Sequence, residues 1–302
     1  MNLAGVFAPI PTPFDDQDGV DTNRLRVALA KWVARPLTGF VILGSNGEAV
    51  LLDDFEADRV IVAARDAIPR DRPLIVGTGR ESTQATVRAC KRAGEHGADF
   101  VLVRTPGFFK SQMTSDAFVR HYTTVADASP APVLLYNFTA LTGVNLLPAA
   151  VARLATHPNI VGMKESGGDI AQIAEVIATT PADFQMLAGT LPTFHAALTV
   201  GCVGGILAPA CVVTEGCARL FELARAGRHD EARRLQQQLL PIARLLGGGG
   251  YGIPGLKAAL AVIGYDMGVP RPPLAPPPEA AFAALREAIA SFEDTFHEPA
   301  AR

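Results

Sequence analysis

The feature that most constrains this chain is an alternation repeated eight times. Short β-branched or apolar runs at residues 5–10, 39–44, 73–77, 99–104, 132–137, 160–165, 184–189 and 204–208 are each followed by an amphipathic stretch of helical length. Those stretches cover 21–35, 53–68, 82–96, 115–128, 148–156, 169–179, 192–200 and 215–226. Several open on residues suited to helix capping, among them Asp21, Asp53, Ser82, Ser115 and Asp169. Strands that are apolar nearly throughout belong to a parallel sheet covered by helices. Eight such units predict an α/β chain closed into a (β/α)8 TIM barrel. A doubly wound open sheet is the structural rival. Against it, no strand–turn–helix carries a complete GxGxxG, and Gly77-Thr78-Gly79 is only a fragment.

Beyond the eighth unit, helical patterns recur at 229–246, 255–263 and 279–292. Four glycines at 247–250 and a proline-rich stretch at 270–278 separate them. No Lys-Ser/Thr follows the glycines, so they read as a flexible junction rather than a phosphate loop. The expected organisation is a barrel over residues 1–227 with C-terminal helices over 228–302. The two would pack as one structural unit, with the helices supplying an oligomer surface.

A hydrophobic share of 49% gives ample core, and a net charge of -3 offers no electrostatic reason to expect nucleic acid or an anionic membrane as partner. The N-terminus lacks a basic region followed by a long apolar stretch, so no signal peptide is read and a cytoplasmic location is expected. The most apolar segment, 196–213, is broken by Gly201, Gly204, Gly205 and Pro209, unlike a membrane helix of about 20 sustained apolar residues. Cys90, Cys202, Cys211 and Cys217 show no CxxC, and the six histidines show no HxxxH or HxH. Neither a disulfide framework nor a metal site is expected.

In a barrel of this kind the active site forms at the C-terminal ends of the strands. Polar residues collect there: Gly44-Ser45-Asn46-Gly47-Glu48 after the second strand, Tyr136-Asn137 at the fifth, Lys164-Glu165-Ser166 at the sixth and Gly189-Thr190 at the seventh. Lys164 is the only one of five lysines inside a strand-like apolar run, Ile160-Val161-Gly162-Met163-Lys164. Strict alternation puts it on the face of Gly162 and Ile160. If that face lines the interior, burial disfavours the ammonium and makes the neutral, nucleophilic amine accessible. From position alone, a stem carrying its charge to water or a lysine paired with a carboxylate remains open. Tyr136 is placed to carry protons beside such a lysine, or else to bury its ring and bond a backbone carbonyl. Ser45 and Asn46 suit a carboxylate or carbonyl oxygen, although Ser, Asn and Gly are also ordinary turn residues. Glu48 reads as a charge favouring the next helix N-terminus.

With lysine, tyrosine and the GxxGE turn in this order, the chain resembles the dihydrodipicolinate synthase / N-acetylneuraminate lyase superfamily from about residue 5 to 274. The resemblance rests on Gly44-Ser45-Asn46-Gly47-Glu48, Tyr136-Asn137 and Gly162-Met163-Lys164-Glu165-Ser166-Gly167-Gly168-Asp169. Within the superfamily it is most similar to 4-hydroxy-2-oxoglutarate aldolases, through the turn 44–48 and segments 81–87, 157–164 and 252–257. The resemblance implies Lys164 as the Schiff-base lysine and Tyr136 as the acid/base. It implies Ser45 and Asn46 as carboxylate-binding and proton-relay groups, and Ser166 as a substrate-binding hydroxyl. Gly189 and Ile206, on the seventh and eighth strands, are expected to line the substrate pocket. A pyruvate-type 2-oxo acid, no cofactor, no metal and a homo-oligomer (tetramer or dimer) are implied as well.

The chain departs from the wider superfamily at several positions. Leu141 stands where the synthases carry a carboxylate-holding arginine, and Phe108-Phe109 where a Tyr-Tyr pair is usual. Thr139 replaces a proline, and Thr190-Leu191-Pro192 replaces the acidic pair of the sialic acid lyases. The leading expectation is a class I aldolase cleaving a 4-hydroxy-2-oxo acid to pyruvate and an aldehyde through a Lys164 imine. The rivals are a 4-hydroxy-tetrahydrodipicolinate synthase, a dehydratase of sugar-derived 2-oxo acids, and a catalytically weakened barrel that binds 2-oxo acids.

Overall fold

The computed structural model describes residues 2–247 and 249–297. Gly248, inside the glycine junction, and residues 298–302, at the end of the expected C-terminal unit, lie outside the described residues.

Eight strands close into a barrel in chain order: β1 (Gly5–Pro9), β2 (Gly39–Ile42), β3 (Leu74–Gly77), β4 (Phe100–Arg104), β5 (Val133–Asn137), β6 (Ile160–Glu165), β7 (Gln185–Ala188) and β8 (Gly204–Ile206). Every pairing is parallel, and β8 returns to β1 through Gly5 opposite Gly204 and Phe7 opposite Ile206. The helices between strands are α1 (Thr22–Val33), α2 (Asp54–Ala67), α3 (Thr83–Glu95), α4 (Ser115–Ala128), α5 (Thr139–Thr142), α6 (Pro148–Leu154), α7 (Ile170–Thr179) and α8 (Phe194–Val200). After β8 come α9 (Thr214–Arg225), α10 (His229–Leu246), α11 (Gly252–Val262) and α12 (Glu279–His297). Among the described residues no helix is long and apolar enough to cross a membrane.

Local chemistry accounts for most of these boundaries. Asp21, Asp53, Ser82 and Asp169 each accept a backbone N–H of the following first turn, and Asp53 forms a reciprocal box with Glu56. At α4 the cap is Thr114, which accepts from the Ala117 N–H, rather than Ser115, which is already the first helical residue. The short helix α5, absent from the sequence-based pattern, ends on Gly143 at φ 69°.

Two apolar layers hold the fold. The interior plug contains Phe7, Val41, Ile75, Leu102, Leu134, Tyr136, Leu187 and Ile206, while a larger layer lies between strands and helices. The alternation along β6 is broken once. Val133 pairs with Ile160 but Leu134 pairs with Gly162, so Val161 is an extra residue opposite the β5 ladder. Ile160 therefore packs in the outer layer with Val133, and Val161 against the plug. Lys164 shares a face with Gly162 but not with Ile160, which corrects the face expected from simple alternation. The four cysteines are free and buried.

Candidate active site

The polar mouth is built by register. Arg104 of β4 is the neighbour of Tyr136 on β5, and Tyr136 is the neighbour of Lys164 on β6, which in turn pairs with Leu187 on β7. Tyr136 and Leu187 belong to the interior plug, so the Lys164 side chain points inward with them. Lys164 is only 6% exposed, and its Nζ lies 4.4 Å from the centre of the Tyr136 ring. No carboxylate pairs with it among the described residues. The next residue, Glu165, faces the other way and accepts from Asn137 Nδ2 at 2.7 Å and Gln172 Nε2 at 3.1 Å. Burial pushes the Glu165 carboxyl above its usual range, against bonds from Asn137, Gly167 and Gln172. Asn137 also bonds Asn145 and the Leu146 N–H, and so fastens the loop after β5 to β6.

Ser45 Oγ stands 3.2 Å from the Tyr136 hydroxyl. The turn that carries it is held by two non-glycine residues in left-handed backbone, Leu43 (φ 53°) and Glu48 (φ 54°), a conformation that persists only when its surroundings enforce it. Those surroundings come largely from α11 and the segment between α11 and α12. Glu48, buried, pairs with Lys257 of α11 at 2.7 Å and accepts the Arg271 N–H at 2.8 Å. Thr12 Oγ1 donates to the Gly47 carbonyl at 2.6 Å. Burial pulls the Lys257 amine below its usual range, with Glu48 opposing the shift. Lys257 and Arg271 both sit over the Phe14 ring, at 4.2 and 4.4 Å, and Arg271 grips Glu56 at 2.6 and 2.7 Å. Glu48 is thus a buried ion-pair residue that fixes the turn. Only one turn of tight helix, Ala49–Leu51, follows it, so it is not a charge on a long helix N-terminus.

A cavity of about 480 Å³ opens beside these groups. Ser45, Tyr136, Arg104, Glu81, Lys110 and Phe138 line it, and Phe108, Leu141, Val50, Ile253 and Leu274 make its apolar walls. Lys164 lies behind the Tyr136 ring rather than in the lining. Asn46, half-buried, is also outside it. Ser166 is buried with no partner for its Oγ, and a side chain at Gly189 would place a Cβ 1.9 Å from that oxygen. The bare Gly189 therefore leaves an unengaged hydroxyl one residue past β6. Ile206 is 1% exposed, inside the plug below the mouth. Tyr136 meets both Ser45 and Lys164, whereas Asn46, Ser166, Gly189 and Ile206 are not among the residues that line the cavity.

Sequence reasoning missed Arg104, Glu81 and Lys110 as cavity residues. One signal for Arg104 was present, because it closes an apolar run much as Lys164 does near the end of its own. Phe108 and Phe109 stand edge to face, 77% and 68% exposed, and bring no hydroxyl. Among the described residues no group of three or more His, Cys, Asp or Glu side chains gathers as a metal ion requires.

The closed parallel barrel thus brings an inward lysine and a hydrogen-bonded tyrosine together at the C-terminal ends of its strands. The chain belongs to the dihydrodipicolinate synthetase family, whose model matches residues 2–291. It is 36% identical over 293 residues to a probable mitochondrial 4-hydroxy-2-oxoglutarate aldolase of Emericella nidulans, covering 95% of this chain and 94% of that one. It is 33% identical over 292 residues to a 4-hydroxy-tetrahydrodipicolinate synthase of Exiguobacterium sp., covering 97% and 99%. Among solved structures it is similar to YagE, an E. coli K12 prophage protein of the dihydrodipicolinic acid synthase family crystallised with pyruvate. There the TM-score is 0.89 at 27% identity, covering 96% of this chain and 99% of that one. The chain is therefore an enzyme, a pyruvate-dependent lyase of the class I aldolase type.

Proposed function

We propose that this enzyme cleaves a 4-hydroxy-2-oxo acid, such as 4-hydroxy-2-oxoglutarate, to pyruvate and an aldehyde. The observation that carries the reading is the Tyr136 group, with Ser45 Oγ 3.2 Å from its hydroxyl and Lys164 Nζ 4.4 Å from its ring centre. Lys164 attacks the C2 carbonyl, and loss of water leaves a protonated imine. Tyr136 protonates the departing C2 hydroxyl, and the phenolate so formed, hydrogen-bonded by Ser45, takes the C4 hydroxyl proton and later returns it at C3. The C3–C4 bond breaks, its electron pair flows into the imine, and the aldehyde departs. The enamine that remains takes a proton at C3, and water hydrolyses the new imine to pyruvate and free Lys164. Asn46, Ser166, Gly189 and Ile206 serve as the surrounding substrate shell. The unengaged Ser166 hydroxyl supplies one hydrogen bond to the bound 2-oxo acid.

A second reading, condensation of pyruvate with aspartate semialdehyde, is favoured by the likeness to the Exiguobacterium synthase. The uncharged Leu141 on the cavity wall counts against it. A panel of 4-hydroxy-2-oxo acids read by pyruvate release, run beside a coupled assay with aspartate semialdehyde, separates the two. Release from 4-hydroxy-2-oxoglutarate that Lys164→Ala abolishes supports the aldolase. Turnover with the semialdehyde alone replaces it with the synthase, and negligible turnover on both overturns catalysis in favour of a 2-oxo-acid-binding barrel.

A further inference from the structure

The cavity wall that holds Arg104 and Lys110 carries charge that the proposed cleavage does not use. Arg104 faces inward, because it follows the inward Leu102 and the outward Val103 and sits beside Tyr136 in register. Two strand spacings, about 10 Å, separate its Cα from that of Lys164. Gly79 makes room for it: a Cβ there would lie 2.6 Å from Arg104 Cγ.

Only one guanidinium nitrogen is engaged. Arg104 Nη1 donates to Glu81 Oε1 at 2.7 Å and to the Thr105 carbonyl at 3.1 Å, while Nε and Nη2 have no partner among the described residues. Glu81 in turn is held by the Gly107 and Phe108 amides at 3.0 and 2.9 Å. The carboxylate thus orients the guanidinium and ties it to the loop bearing Phe108. Lys110, on the same wall, forms no ion pair among the described residues. Glu48 is taken by Lys257, so two cations face the single carboxylate of Glu81 across an otherwise apolar wall.

We infer that Arg104, assisted by Lys110, is the subsite for a second carboxylate on the substrate, so that the enzyme selects 2-oxo diacids over 2-oxo monoacids. A guanidinium with one edge fixed and two nitrogens free suits a planar carboxylate arriving from the cavity. Leu141, Phe108 and Val50 offer such a group nothing.

The inference deepens the proposed function and rests on it, so the test reads binding apart from turnover. Calorimetric Kd values are measured for 2-oxoglutarate and 2-oxobutyrate on the full chain, on Arg104→Gln and on Arg104→Lys. The wild type is expected to prefer the diacid. Arg104→Gln is expected to shrink that preference by about 10- to 100-fold, the effect of losing a charge-assisted hydrogen bond, and Arg104→Lys to restore part of it. A wild type without preference, or an Arg104→Gln variant that keeps it, overturns the subsite. Equal weakening of both acids, unrelieved by lysine, assigns Arg104 a structural role and overturns it too. A borohydride adduct of pyruvate on Lys164 reads the proposed function separately. Its absence with the diacid preference intact defeats that reading and leaves the subsite standing.

Discussion

Tyr136 is where the chemistry is most exposed to a single substitution. Its hydroxyl meets Ser45 and its ring lies against Lys164, so Tyr136→Phe keeps the packing and removes the hydroxyl that the proposed cleavage uses to move protons. That variant is expected to lower kcat for pyruvate release by about 10²- to 10⁴-fold while still forming an imine, which steady-state kinetics and borohydride trapping check together. His121 gives a second residue-scale expectation. It is 6% exposed, its Nδ1 bonds Thr83 Oγ1 at 2.9 Å and its Nε2 has no partner. Burial pushes its pKa down to about 4. The unfolded chain then binds the proton more readily between about 6.5 and 4. The stability from a neutral His121 is present above that window and is lost as pH falls through it, by at most on the order of 3 kcal/mol. Urea unfolding at pH 7.5 and 4.5 should show a smaller acid loss in His121→Asn than in the wild type. Equal losses would remove His121 from the account.

The eight strand–helix units were legible because buried parallel strands and amphipathic helices leave different periods in the sequence, and Asp21, Asp53, Ser82 and Asp169 mark helix starts by plain capping chemistry. The grouping of Lys164, Tyr136 and Ser45 was legible because polar residues at or just past the C-terminal ends of barrel strands meet at one mouth. What stayed hidden depends on partners distant in the chain. The extra residue at Val161 shows only when β6 is laid beside β5. Glu48 looks like a helix-terminal charge until Lys257 of α11 arrives, more than two hundred residues later. This pair belongs to the element scale, since it joins α11 to the turn after β2. Lys257→Met leaves a buried carboxylate unpaired and is expected to cost about 3–5 kcal/mol in guanidinium unfolding. Adding Glu48→Gln should recover much of that loss. A single variant as stable as the wild type would show that the pair does not hold the turn.

Across the whole molecule, α11 and the segment that follows it complete the barrel mouth rather than decorate it. Ile253, Pro273 and Leu274 close one wall of the cavity, and Lys257 with Arg271 braces the Ser45 turn from beneath. The rim of the cavity leaves Phe108, Phe109 and Leu141 mostly exposed, apolar side chains that a partner copy could cover. Light scattering is expected to give a dimer or tetramer of the 31.8 kDa chain, and a monomeric mass at micromolar concentration would contradict this. Register, bulge, brace and cavity all bear on one amine held inside the mouth of a closed barrel. Reduction with borohydride in the presence of pyruvate, followed by peptide mass spectrometry, addresses that amine most directly. The expected result is a single reduced adduct on Lys164, absent in Lys164→Ala. A folded protein with no adduct, or with the adduct on another lysine, would contradict the account.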